Sequence, residues 1–167
     1  VSQARSGNLA DAENTMLQME EKGMSEAATQ YLHGEILYKQ SGYSEALTKF
    51  YSVLDLETDQ QLLRRTYTVI GEIIRDHGLS LEGSYKKGIE VLLTSEGKLK
   101  EKNNIIIMEL LAELYYLQAE SEPEDTAKNK AYESSAQYFQ KLIDVGYRRP
   151  YIYRNIWLFS ELYTIFL

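Results

Sequence analysis

The side chains best suited to chemistry are scarce in this sequence. There are two histidines, His33 and His77, and no cysteine. Neither histidine stands in Glu-x-x-His or His-x-x-x-His spacing, so no helix face offers a metal ion a second ligand beside an imidazole. The lack of cysteine removes disulfides, zinc-thiolate sites and thiol nucleophiles. Glu109 and Glu113 fall on one face of a helix and have the outline of a carboxylate pair. General acid–base work needs a closed pocket that drives the two pKa values apart, and a solvated helix face is the expectation. Gly78-x-x-x-x-Gly83-Ser84 and Gly83-x-x-x-x-Gly88-Ile89 share the outline of a phosphate loop. Both lack the lysine after the second glycine and a preceding strand, so they read as a turn followed by a closely packed helix. No catalytic residue, metal or cofactor is expected, and the chain does not read as an enzyme.

The elements around these residues follow from bulk properties and periodicity. Of 167 residues, 44% are apolar and 26% charged, which permits a real core. Two prolines favour long helices, and 14 tyrosines against 4 phenylalanines favour half-buried aromatic positions. A net charge of −7 argues against a nucleic-acid partner, which needs a basic footprint. The longest apolar run, Ile105 to Leu117, is broken by Glu109 and Glu113, so no membrane insertion is expected. A cytoplasmic location is the expectation, with an extracytoplasmic segment of a membrane-anchored protein as the alternative.

Two patterns recur. A small residue, a glutamate and two apolar or aromatic residues appear at Gly34-Glu35-Ile36-Leu37, Gly71-Glu72-Ile73-Ile74, Ala112-Glu113-Leu114-Tyr115 and Ser160-Glu161-Leu162-Tyr163. These define helix A. Helix B is seen in Tyr43 with Ala46, Leu47, Phe50, Val53 and Leu54, and again around Ala12, Gly88 and Ser135. Its apolar steps of three and four residues are helical. Ala12 and Ala46 are 34 residues apart, and the step from a B small residue to the next A small residue stays at 22 to 25. A glycine inside a helix costs about 1 kcal/mol relative to alanine. Small residues on both helices of a hairpin offset that cost by letting the backbones approach where they cross.

The interleaved series resembles the tetratricopeptide repeat (TPR) family, most closely over residues 27–60, where Gly34, Tyr43, Ala46 and Phe50 meet the family's small, aromatic, small and aromatic positions. The resemblance implies an all-α fold, an α-α superhelix or solenoid of antiparallel helix pairs. The expected spans are B1 at 9–22, A2 at 25–40, B2 at 43–56, A3 at 60–77, B3 at 84–96, A4 at 102–119, B4 at 129–145 and A5 at 150–166. They group within one domain as a partial unit 1–24, units 25–58, 59–98 and 99–147, and a partial unit 148–167. The polar stretch Ala119–Lys130, which carries Pro123, is expected to be an exposed loop inserted in the third complete unit. The truncated first and last units give the expectation of a piece cut from a longer protein, with self-association through an uncovered C-terminal helix.

The family implies a protein-interaction module whose A helices line a concave groove. Tyr31, Glu35, Arg65, Thr68, Glu72, Glu109, Glu113, Arg154, Trp157 and Glu161 are the candidate groove residues. Their acidic, aromatic-flanked character suits a protein or extended peptide carrying Lys or Arg. The enlarged turns and Tyr-rich B helices are also similar to repeat regions attached to serine/threonine kinases of Gram-positive bacteria. That likeness implies, as the alternative, a structural or sensory segment of a larger bacterial signalling protein.

Overall fold

The computed structural model describes residues 14, 23, 25–56, 59–81 and 84–151, and those residues form helices with no strand among them. The chain packs as two units, Val1–Thr66 and Tyr67–Leu167.

In the first unit, α1 (Glu26–Lys39) and α2 (Tyr43–Leu56) form a helical hairpin. Ser25 starts α1, its Oγ accepting the Ala28 N–H at 3.2 Å, which satisfies one of the donors a helix N-terminus leaves open. The three-residue connection is a Schellman closure. Gly42 N–H donates to Leu37 O and Ser41 N–H to Tyr38 O, both at 2.9 Å. The left-handed residue is Ser41, with φ 64°, where glycine is the usual occupant. α2 buries Ala46, Leu47, Phe50, Val53 and Leu54, the spacing expected of one face of a helix. Gly34 lies directly under the Phe50 ring, so close that a β-carbon built there would sit 2.7 Å from Phe50 Cε1.

α3 (Gln60–His77) begins at Asp59, whose Oδ1 accepts from Gln61 and Leu62 N–H at 3.0 and 2.9 Å. The division between the units falls within this helix. Its first turns bury Leu63 and Thr66; its later turns bury Tyr67, Ile70, Ile73 and Ile74 in the second unit.

The second unit continues through a 3-10 turn (Gly78–Ser80) to α4 (Ser84–Leu93), a short α5 (Ser95–Lys98), α6 (Ile105–Ser121) and α7 (Asp125–Asp144). α6 packs along α7 and against α4. The α6–α7 contacts run Glu120 to Tyr132, Tyr116 to Tyr132 and Ala112 to Ser135, so the two helices are antiparallel. The crossing is tight: Ala112, Ser135 and Phe139 are fully buried, and Ser135 Oγ donates to Ala112 O at 2.7 Å. Gly88 abuts Ile74 and Leu114, which brings α3, α4 and α6 together.

The expected spans 43–56 and 60–77 coincide with α2 and α3, and 25–40 differs from α1 by a residue at each end. Three boundaries differ. The expected B3 is interrupted at Thr94, whose Oγ1 bonds Val91 O at 2.7 Å and the Tyr67 hydroxyl at 2.8 Å; a threonine that bonds its own turn competes with helix continuation. The expected A4 starts late because Asn103 is left-handed (φ 58°) and Asn104 caps α6 through Ile107 N–H. The polar stretch Ala119–Lys130 is not a loop. α6 runs to Ser121, α7 begins at Asp125, and Glu124 caps α7 by accepting from Thr126 and Ala127 N–H. Nearly all of the expected B1 and A5 lie outside the described residues, and with them the expectation of self-association through A5.

Candidate interaction site

The ten candidate groove residues fall into three groups. In the first unit, Tyr31 and Glu35 lie half-buried on α1 and Arg65 is exposed on α3. Tyr31 meets Phe50 edge-on with centroids 5.4 Å apart, so its ring belongs partly to the hairpin core. Thr68, Glu72, Glu109 and Glu113 lie half-buried in the second unit. Arg154, Trp157 and Glu161 lie outside the described residues.

Within the second unit the structure gathers a polar cluster that spacing alone did not disclose. Glu113 on α6 accepts from Arg75 Nη1 on α3 at 3.3 Å. Arg75 also clasps its neighbour Asp76, at 2.7 Å through Nε. One turn earlier on α6, Glu109 accepts from the Tyr147 hydroxyl at 3.1 Å. The Arg149 guanidinium lies 5.6 Å from the centre of the Tyr147 ring.

The electrostatics follow from burial and neighbours. Removal from water pushes the Glu113 carboxyl above the ordinary glutamate range; Arg75 pulls it back, and the charges of Glu109 and Asp76 push it further up. The Arg75 hydrogen bond holds Asp76 below the usual carboxylate range, against a smaller opposing effect of burial. Arg75 is itself held firmly protonated, chiefly by Asp76. Burial, then the Glu109 carboxylate, pushes the Tyr147 phenol up.

The recurring glutamates therefore occupy different situations. Glu35 and Glu72 carry no ion pair among the described residues, whereas Glu113 is already engaged by Arg75. The sequence carried a faint signal of this. Arg75 to Glu113 and Tyr147 to Glu109 each span 38 residues, near one repeat length, but pairing at that distance has no local rule to expose it.

Among the described residues no group of three or more His, Cys, Asp or Glu side chains could hold a metal ion. His33 and His77 are both half-buried, on different helices. No described helix is long and apolar enough to cross a membrane.

What the geometry defines is an all-helical protein built on closely crossed hairpins. No protein-family model, curated protein or solved structure matches the chain.

Proposed function

We propose that this chain is a protein-interaction module of the tetratricopeptide type, an α-α superhelix that holds an extended peptide or partner protein and does no catalysis itself. The observation that supports this reading is one buried pattern of small and aromatic residues used in two hairpins. Gly34 with Ala46 and Phe50 in α1/α2 corresponds to Ala112 with Ser135 and Phe139 in α6/α7, and the B-helix members are all fully buried. The aromatic follows the small residue by four positions in both. A repeated packing unit with varied surface residues is how solenoids build binding faces.

Among the described residues, Glu35 in the first unit and Glu72 in the second carry no ion pair, so each unit offers an acceptor to a basic partner. The experiment is selection from a random peptide display library on the full chain. Retained peptides should be enriched in Lys or Arg, and Glu35→Lys with Glu72→Lys should lose them while helical content stays constant. Binding should weaken as salt rises, since open charges are screened over about 8–10 Å. If no peptide is retained at low salt, the reading fails.

A further inference from the structure

At the end of the α6/α7 hairpin where α6 begins, a cleft of about 280 Å³ opens between α5, the 99–104 connection, the first turns of α6 and the later half of α7. Its floor is apolar, formed by buried Leu99, Ile107, Met108 and Leu111. Tyr138 makes one wall. That ring is fixed in place, stacked on Tyr115 at 5.8 Å, with Lys141 Nζ 4.4 Å from its centroid.

Two features mark the cleft as more than a packing gap. Ser95 lines it and is only 4% exposed, yet its hydroxyl makes no hydrogen bond among the described residues. A hydroxyl at the cleft wall with no protein partner can bond a polar atom of an incoming group. The lining also carries charges of both signs, Glu96 and Glu101 with Lys102 and the Lys141 ammonium that lies over the Tyr138 ring. Glu96 and Lys102 form no ion pair among the described residues, whereas Glu101 accepts from Asn104 Nδ2 at 3.1 Å.

We propose that this cleft takes one large apolar side chain of an extended peptide segment, with the flanking peptide groups meeting Ser95 Oγ, Glu96 and Lys102. The proposal rests on the peptide-binding reading above but places the contact elsewhere, since none of the ten residues drawn from the sequence lines the cleft. The volume falls just short of the ~300–1,000 Å³ of drug-sized ligand sites, which favours a single side chain over a larger free molecule. The paired rim charges suit a dipolar backbone: an N–H donates to Glu96, and a C=O accepts from Lys102. A net ion would meet repulsion as well as attraction. Exposed Ile105 and Ile106 open α6 and exposed Val145 follows α7 at this same end of the hairpin, so a segment longer than one residue gains apolar contact outside the cleft.

The test uses the full chain labelled with [methyl-13C]methionine, because Met108 reports from the cleft floor. N-acetyl-leucine amide and N-acetyl-phenylalanine amide should each move the Met108 methyl signal saturably, and N-acetyl-asparagine amide should not. Glu96→Trp, a change at an exposed rim position, should weaken the effect at least tenfold by covering the opening. Ser95→Ala should weaken it several-fold with unchanged circular dichroism. Equal response to the asparagine amide, or a stronger one to phenylacetate, would overturn the assignment. Library-selected peptides that leave Met108 unmoved would also overturn it and keep the peptide-binding reading. No retained peptide together with an unmoved Met108 would overturn both.

Discussion

Gly34→Ala puts the helix-crossing argument at risk most directly, because two effects of opposite sign meet at one atom. Replacing a helix-interior glycine by alanine is worth about 1 kcal/mol in propensity. The added β-carbon, however, would lie 2.7, 2.8 and 3.0 Å from Cε1, Cζ and Cδ1 of Phe50. Those three atoms belong to one rigid ring that is fully buried and packed edge-on by Tyr31, so it has no open side to move into. Overpacking of this kind costs about 1–3 kcal/mol. The net expectation is a loss near 1 kcal/mol, a fall in Tm of about 2–4 °C for a chain of this length. Gly97→Ala is the control. Nothing lies within 4 Å of a β-carbon there, so the same chemical change should stabilise by about 0.4–1 kcal/mol. Thermal and urea melts followed by circular dichroism read both. Adding Phe50→Leu to Gly34→Ala should recover part of the loss, with a coupling of about 0.5–3 kcal/mol. If Gly34→Ala raises Tm as much as Gly97→Ala does, the close crossing is not an energetic feature of the hairpin.

Ser41→Gly should stabilise the α1/α2 hairpin, because a left-handed conformation costs an L-residue roughly 1–2 kcal/mol. Gly146→Ala, at the matching left-handed position after α7 (φ 86°), should lose a similar amount in the same urea melts. A second expectation concerns pH. Glu113 has its folded pKa raised, so its contribution is fully present below the ordinary glutamate value and is lost as pH rises through the folded one. Asp76 has its folded pKa lowered, so its contribution is present above the ordinary aspartate value and is lost as pH falls through the folded one. Glu113→Gln should therefore flatten the decline in urea midpoint above the ordinary glutamate range and leave the acid-side loss intact; an unchanged slope would sink that assignment. Tyr147→Phe should cost about 0.5–1.5 kcal/mol by removing the donor to Glu109, measured in the same melts at neutral pH.

Helix α2 was legible in the sequence because its buried residues are all apolar and recur at helical steps, so pattern and packing are the same information. The stretch from Ala119 to Lys130 reads as a loop in the sequence because it is polar, yet it is helical to Ser121 and again from Asp125. Asp125, Thr126, Ala127, Asn129 and Lys130 are exposed, so the first turns of α7 offer no apolar stripe and resemble a linker in composition. What orders them is local: Glu124 accepts two helix N–H groups, and Tyr132 donates back to Glu120 across the turn. The cleft was invisible for a different reason. Its floor residues read as ordinary core, and what makes them a site is the way the 99–104 connection, the start of α6 and the later half of α7 surround an opening. Spacing along the chain carries no record of that gap.

The split among the recurring glutamates constrains how any partner of the proposed module could be recognised. A lysine or arginine approaching Glu113 would have to displace Arg75, and removing one member of a half-buried pair leaves the other underpaid for its desolvation. Glu109 is likewise already bonded to Tyr147. Glu109 and Glu113 on α6 are therefore already engaged, and among the described residues Glu35 and Glu72 carry no ion pair. An exposed ion pair is worth about 0.2–1 kcal/mol, which cannot hold a peptide at micromolar concentration, where about 8 kcal/mol is needed. Under the peptide-binding reading the remainder must come from apolar burial, and charge acts to bias which peptides are held. A side chain seated on Leu99, Met108 and Leu111 would supply that kind of contact, whereas a ladder of glutamates alone would not.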